Sequence, residues 1–104
     1  MRSLLSLLLL ASACGTPTLV ETDYAKNCSV DADCVAVYIG PLCQVCGGCA
    51  NTAINVADKA KRDADAASAA RSCPPRFGPQ PACAPCRQPA AACTSGTCVL
   101  KELP

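Results

Sequence analysis

The stretch from Cys43 to Cys49, CQVCGGC, places three thiols at C-x2-C-x2-C spacing. Reduced thiols at such a spacing can hold zinc or an iron–sulfur cluster, whereas oxidised thiols at the same spacing form disulfides. The redox compartment decides between these two chemistries, because the cytosol keeps thiols reduced and exported proteins acquire disulfides. The N-terminal residues, which report the compartment, therefore bear directly on this motif.

The chain opens with the features of an export signal: Arg2, an apolar run over residues 4–10 and small residues at 11–13 before Cys14. The apolar run is much shorter than the roughly 20 residues that cross a bilayer as a helix. This arrangement resembles a bacterial lipoprotein signal, in which the cysteine after the small residues is lipidated and becomes the mature N-terminus. The resemblance implies a lipid on Cys14. Plain secretion after cleavage at residue 13, and a cytosolic chain that merely begins apolar, are the alternatives.

The cysteine count agrees with a lipidated Cys14. The chain has 11 cysteines, and an odd number would leave one thiol unpaired in an exported protein. Without Cys14, the ten that remain can close into five disulfides: Cys28, Cys34, Cys43, Cys46, Cys49, Cys73, Cys83, Cys86, Cys93 and Cys98. Cysteine at this density in a short exported chain predicts a disulfide scaffold.

Composition excludes several classes of function. Loss of Arg2 with the signal leaves eight basic and eight acidic side chains, so neither a basic stripe for nucleic acid or an anionic membrane nor an acidic surface for a cationic partner is predicted. The mature chain has only Tyr24, Tyr38 and Phe77 as aromatic residues, and a core this thin needs disulfides, which contribute about 2–4 kcal/mol each. The chain has no histidine, which excludes catalytic triads that use one. We therefore expect a non-enzymatic protein without a cofactor.

Three elements are predicted. Residues 35–39 alternate apolar side chains at period two and predict a strand. Residues 52–71, capped by Asn51 or Thr52, are rich in alanine and contain no Gly or Pro, which predicts a helix. Residues 90–101 predict a hairpin that turns at Ser95-Gly96.

These elements predict a small disulfide-rich α+β fold, with one Ala-rich helix packed on a two- to three-stranded antiparallel sheet. The sheet is expected from residues 34–39, 90–93 and 98–102. The helix is expected to bury a stripe of mostly small residues and to depend on Cys49 and Cys73 at its two ends; the stripe is Ala53, Ile54, Ala57, Ala60, Ala64 and Ala67.

The predicted organisation has three parts: a lipoprotein signal at residues 1–13, a lipidated N-terminus and tether at 14–27, and a cysteine-rich domain at 28–104. Within the hairpin Cys93 and Cys98 would face each other, so a cross-strand disulfide is one option. Bonding of Cys98 to an upstream cysteine is another, because ten cysteines allow roughly 945 pairings.

Two cysteine motifs could form a metal or redox site instead of structural disulfides. CQVCGGC followed by Cys73-Pro74 faintly resembles the cluster-binding run of bacterial ferredoxins, but the fourth cysteine is 24 residues away and no histidine could complete a zinc site. Cys83-Ala84-Pro85-Cys86 resembles the C-x-P-C site of thioredoxin-like oxidoreductases, yet it lies between prolines and not at the start of a helix. Structural disulfides are the prediction for both motifs, and no metal is expected.

Two further features have a sharp and a plain interpretation. Asp31 and Asp33 could suggest a Ca²⁺ site, but a pair of carboxylates with no third one nearby favours capping of a turn.

The segment at residues 73–89, CPPRFGPQPACAPCRQP, contains six prolines and is expected to be a stiff extended loop. Its Arg76-Phe77 pair would suit a protease inhibitor, because a pre-ordered loop loses little entropy on binding; a stiff spacer is the plain alternative. Over seven residues, the C-x5-C at 28–34 also resembles whey-acidic-protein-type inhibitor domains.

Taken whole, the chain resembles the small cysteine-rich lipoproteins of bacteria, on its signal, CSVDADCV, C-x2-C-G-G-C, the Ala53-Ile54-Asn55 run and the closing CTSGTCV. The resemblance implies a location and a fold style, and no activity. We expect an exported, lipid-anchored envelope protein, periplasmic or on the outer-membrane surface, that binds an unknown partner or has a structural role and does not bind nucleic acid. A protease inhibitor acting through Arg76 and Phe77 is the alternative.

Overall fold

The structure, a computed structural model, describes residues 16–101. In chain order the elements are β1 (Cys34–Val37), β2 (Thr52–Asn55), α1 (Lys59–Ala70), β3 (Ala90–Thr94) and β4 (Thr97–Lys101), with 3-10 turns at Glu21–Asp23, Asp31–Asp33 and Val56–Asp58. The helix, two antiparallel sheets and five disulfides form a small disulfide-rich α+β fold, as predicted.

The C-terminal hairpin is confirmed. β3 and β4 pair antiparallel with Cys93 opposite Cys98, and the two residues between the strands are Ser95 and Gly96. Both have positive φ angles, 50° and 77°, which is the geometry that a two-residue hairpin turn of the right twist requires. Cys93 and Cys98 nevertheless do not bond to each other. Cys93 bonds to Cys28, and Cys98 bonds to Cys34.

The make-up of the sheets differs from the prediction. β1 pairs with β2 in register Cys34–Asn55 to Val37–Thr52, while β3 and β4 form a separate two-stranded sheet. The two sheets pack on each other, with β1 against β3 and β2 against β4. Disulfide Cys34–Cys98 joins β1 to β4, Cys28–Cys93 joins the segment before β1 to β3, and Cys98 is fully buried.

The prediction that residues 52–55 are helical is wrong. Asn51 does not cap a helix; its side-chain amide accepts from the Ile39 N–H at 3.0 Å and donates to the Ile39 carbonyl at 2.8 Å, which extends the pairing of β1 with β2. The helical region starts after Asn55, whose side chain accepts from the Ala57 N–H at 2.8 Å. Residues 52–55, TAIN, contain one alanine and two β-branched residues, so this stretch suits a strand, and its pairing with β1 separates it from the alanine-rich helix that follows.

The predicted apolar stripe is wrong for the same reason. Ala53 and Ile54 lie on β2 and are fully buried there, whereas the four predicted alanines of the helical part are exposed: Ala57, Ala60, Ala64 and Ala67. α1 faces the core through Ala66 and two polar residues, Arg62 and Asp65. The helix consequently docks by hydrogen bonds more than by apolar area.

Part of the segment predicted to be a tether, residues 14–27, belongs to the core instead. Leu19 and Tyr24, from the segment expected to be a tether, are 6% and 5% exposed and pack with Val37, Ile39 and Ile54. Their backbone is held as well, since the Leu19 N–H donates to the Gly40 carbonyl at 3.0 Å. Residues 17–26 are thus part of the folded domain because they supply apolar side chains that the thin core otherwise lacks.

Within residues 16–101, no helix combines the length and the apolar character needed to cross a membrane.

Candidate interaction site

The cysteine loop, residues 43–49, is joined by three disulfides to the proline-rich arm, residues 73–89. The bonds run in the same order along both segments: Cys43–Cys73, Cys46–Cys83 and Cys49–Cys86, with Cα–Cα distances of 5.4, 5.5 and 5.4 Å. All three sulfurs of the cysteine loop therefore bond to the arm. Two C-x2-C motifs, at 46–49 and 83–86, therefore lie side by side and run parallel.

Two glycines shape the cysteine loop for different reasons. Gly47 has a φ of 63°, and its N–H donates to the Gln44 carbonyl at 3.2 Å, so it supplies the left-handed turn. Gly48 packs on the ring of Tyr38, where a Cβ atom would lie 2.1 Å from the ring carbon Cε2. The close approach that Gly48 permits is therefore to an aromatic ring.

The Tyr38 ring is held in place from outside the cysteine loop. The Tyr38 hydroxyl donates to the Pro41 carbonyl at 2.7 Å, and the Tyr38 backbone carbonyl accepts from Nε and Nη2 of Arg62 at 3.0 and 2.6 Å. Helix α1, the end of β1 and the cysteine loop therefore meet at one tyrosine. Apart from the two adjacent glycines, nothing in the sequence indicates this contact.

The arm has no helix or strand, and it lies on the surface. Of its residues only Cys73 and Pro89 are partly buried, and the remaining 15 are exposed. Its six prolines lack an N–H and restrict φ, which stiffens a chain that makes no regular backbone ladder. Disulfides and prolines thus replace a hydrophobic core in this half of the molecule.

Arg76 and Phe77 have different environments. The Arg76 guanidinium donates to the Cys43 carbonyl, which fixes it to the base of the cysteine loop. Phe77 is 91% exposed, the largest exposure among the large hydrophobic residues of the described chain. An open depression of about 210 Å³ lies beside it, lined by Val45, Arg76, Phe77, Pro79, Gln80 and Pro81.

The cysteines that suggested metal or redox chemistry all take part in disulfides. In CQVCGGC no thiolate remains to ligate an ion, and Cys83 and Cys86 bond to the cysteine loop and not to each other. The sulfurs of Cys28, Cys34 and Cys98 lie within 4.8 Å of one another, but they belong to two adjacent disulfides. Their proximity reflects packing of the two sheets.

Asp31 and Asp33 cap backbone groups. Asp33 accepts from the N–H groups of Ser29 and Val30 at 2.7 and 3.1 Å, which lowers the pKa of its carboxyl. Asp31 accepts from the Cys93 N–H at 2.8 Å, which links the turn to β3. Both carboxylates thus have the structural role that was the plainer of the two interpretations.

The lipidation residue Cys14 lies outside the described residues. The other ten predicted site cysteines are all paired, and the structure brings six of them together with Arg76 and Phe77 in one surface region. Sequence reasoning missed Val45 and the prolines that line the depression, because no spacing rule connects residue 45 with residues 79 and 81. Only the disulfide pairing brings them into contact.

No family model, no curated protein and no solved structure matches the chain.

Proposed function

We propose that the protein is an exported, lipid-anchored, non-enzymatic binding module of the bacterial envelope, and that the proline-rich arm is its contact surface. The observation that carries this proposal is the bracing of the exposed arm by three disulfides. A segment that buries almost nothing contributes little to its own fold, yet it is held in one conformation by three covalent bonds. Binding surfaces benefit from such pre-organisation because less conformational entropy is lost on contact.

Two properties support the location. Five disulfides in about 90 residues are typical of proteins outside the cytoplasm. The signal-like residues 1–13 and the position of Cys14 supply the anchor, and the pairing of the ten other cysteines leaves Cys14 as the one thiol available for a lipid.

Mass spectrometry of the mature N-terminus tests the anchor. We expect a diacylglyceryl-type modification on Cys14 and recovery of the protein with the membrane fraction, whereas Cys14→Ala should be recovered without the lipid. A mature chain that starts at another residue, or an unmodified Cys14, would contradict this part of the proposal.

Protease inhibition through the Arg76-Phe77 segment is the second candidate, and the 91% exposure of Phe77 favours it. Arg76 is already bound to the Cys43 carbonyl, so Phe77 is the side chain that a protease could take into its specificity pocket. The target would then be chymotrypsin-like. It ranks second because Gly78, immediately after Phe77, has a φ of 98°, which turns the backbone where an inhibitory loop continues extended.

An inhibition assay separates the two candidates. The inhibitor hypothesis expects the purified protein to slow a chymotrypsin-like protease, Phe77→Ala to abolish this effect and Arg76→Ala to weaken it by loosening the loop. Absence of inhibition of trypsin-like and chymotrypsin-like enzymes would remove this candidate.

A further inference from the structure

The chain enters the fold beside the cysteine loop. The Leu42 N–H donates to the Pro17 carbonyl at 2.9 Å, and Thr18 forms a β-bridge with Pro41. The next residue after Leu42 is Cys43, whose carbonyl accepts from Arg76. Pro17 is therefore connected to the arm through two consecutive residues, Leu42 and Cys43.

Very little chain separates this point from the proposed lipid. Cys14 is three residues before Pro17, and three residues of fully extended chain span at most about 11 Å. Because residues 17–26 are packed in the domain, they cannot act as a spacer. A lipid on Cys14 consequently brings the bilayer surface to the end of the molecule that carries the cysteine loop and the arm.

The charges at this end suit an anionic bilayer. Residues 40–51 and 72–92 contain two basic side chains, Arg76 and Arg87, and no acidic ones. All eight acidic side chains of the sequence lie in other segments. Both arginines are exposed, and a cation near the surface of an anionic leaflet is attracted by the negative surface potential.

The apolar residues at this end suit the interfacial depth of a bilayer. Phe77 and Val45 are 91% and 50% exposed, and Pro79 and Pro81 line the depression beside them. Unpaired backbone N–H groups are costly in hydrocarbon, but proline has none, so a proline-rich turn can approach the acyl chains with few unsatisfied donors. Interfacial anchoring combines apolar side chains with basic ones in this way.

We propose that the tip of the arm, Val45, Phe77, Pro79 and Pro81, docks into the interface of the anionic bilayer that holds the Cys14 lipid, with Arg76 and Arg87 toward its headgroups. This inference rests on the lipid anchor of the proposed function and names the surface that the arm contacts. The lipid anchor keeps the tip at a high local concentration next to the bilayer, and docking of the tip sets the orientation of the domain on the membrane.

A single-tryptophan experiment tests the docking, because the sequence contains no tryptophan. Full-length Phe77→Trp, processed and lipidated in a bacterial host, is reconstituted into vesicles of phosphatidylglycerol and phosphatidylcholine. The matched control is Val30→Trp, at a valine that is 57% exposed in the turn before Cys34, beyond the opposite end of β1. Both sites are exposed, so neither substitution disturbs the core.

We expect the tryptophan at 77 to shift its emission to shorter wavelength and to be quenched by lipids brominated on their acyl chains, and the tryptophan at 30 to show neither effect. Replacing Arg87 by Ala should lower the ratio of docked to undocked tips by about fivefold on anionic vesicles. On vesicles of phosphatidylcholine alone this replacement should have little effect.

Failure of this inference is distinguishable from failure of the anchor. A tryptophan at 77 that stays unquenched on vesicles, in protein whose Cys14 lipid is verified by mass spectrometry, would overturn the docking and leave the anchor intact; it would point to a protein as the partner of the arm. A Cys14 without lipid would overturn both proposals.

Discussion

At the scale of single residues, Tyr38 and Gly48 link the two halves of the molecule. The Tyr38 ring lies on Gly48, and its hydroxyl is bound to the Pro41 carbonyl. Space for a methyl group at residue 48 would require the ring to move, and the hydroxyl bond opposes that movement. The contact fixes the cysteine loop against the β1–β2 sheet with very little apolar area.

Gly48→Ala is expected to lower the free energy of unfolding by about 1–3 kcal/mol, the usual cost of overpacking a close contact. Gly47→Ala is the matched control, because a Cβ there has open space and the cost, about 1 kcal/mol, comes only from its positive φ. Denaturant unfolding with the disulfides intact measures both. In a Tyr38→Ala background, Gly48→Ala should become nearly neutral while Gly47→Ala keeps its cost; an unchanged cost for Gly48→Ala would contradict the ring contact.

Tyr24 is the second residue with a specific role. Burial first, and then the hydrogen bond from its hydroxyl to Asp65 at 2.7 Å, raise the pKa of Tyr24 to about 12. A phenol with a raised pKa in the folded state stabilises the fold fully below pH 10, the ordinary value, and loses this contribution as the pH rises through about 12.

Absorbance titration of Tyr24 in a Tyr38→Phe background should therefore give a midpoint of about 12. Asp65→Asn should move the midpoint toward 10 without reaching it, because burial is the larger cause. A midpoint near 10 in the folded protein would show that Tyr24 is not in the core.

At the scale of elements, local rules predicted β1 and the C-terminal hairpin, and failed at residues 52–55. The hairpin was predictable because Ser95-Gly96 determines its turn locally. The strand at 52–55 was not, because its pairing depends on the Asn51 amide bonding to Ile39, a contact between residues 12 apart. The burial of Leu19 and Tyr24 was also not predicted, since the local sequence does not show which apolar residues pack into a core that has few large side chains.

Helix α1 provides a test of docking by polar contacts. Arg62→Ala removes two hydrogen bonds to the Tyr38 carbonyl and should lower the free energy of unfolding by about 1–3 kcal/mol. Lys59→Ala is the control on the same helix, because its ion pair with Asp63 is exposed and is worth at most about 0.5 kcal/mol. Denaturant unfolding followed by circular dichroism compares them. An equal loss of unfolding free energy in the two variants would contradict docking of the helix through Arg62.

At the scale of the whole molecule, two parts are stabilised differently. The two packed sheets enclose Cys34–Cys98 together with the apolar core, whereas Cys46–Cys83 and Cys49–Cys86 join residues that are all exposed. The sequence predicted that the ten cysteines form disulfides, but it could not choose among roughly 945 pairings because the choice depends on tertiary contacts.

This division predicts an order of reduction. Under mild reductant without denaturant, Cys46–Cys83 and Cys49–Cys86 should open first, since a thiolate can reach them, and Cys34–Cys98 should open last because Cys98 is fully buried. The hairpin and the β1–β2 sheet should survive the first step. Timed reduction with alkylation and mass spectrometry measures the order, and early loss of Cys34–Cys98 would contradict the proposed packing of the sheets.

Partial reduction also shows whether the cysteine loop is bonded to the arm, when species that have lost a single disulfide are separated and alkylated, so that the two labelled cysteines of each species are partners. We predict that Cys46 is released with Cys83 and Cys49 with Cys86, that Cys43 pairs with Cys73, and that almost no free thiol is present before reduction among these six. Disulfides within the motifs, Cys46–Cys49 and Cys83–Cys86, or free thiols that hold zinc or iron, would contradict it.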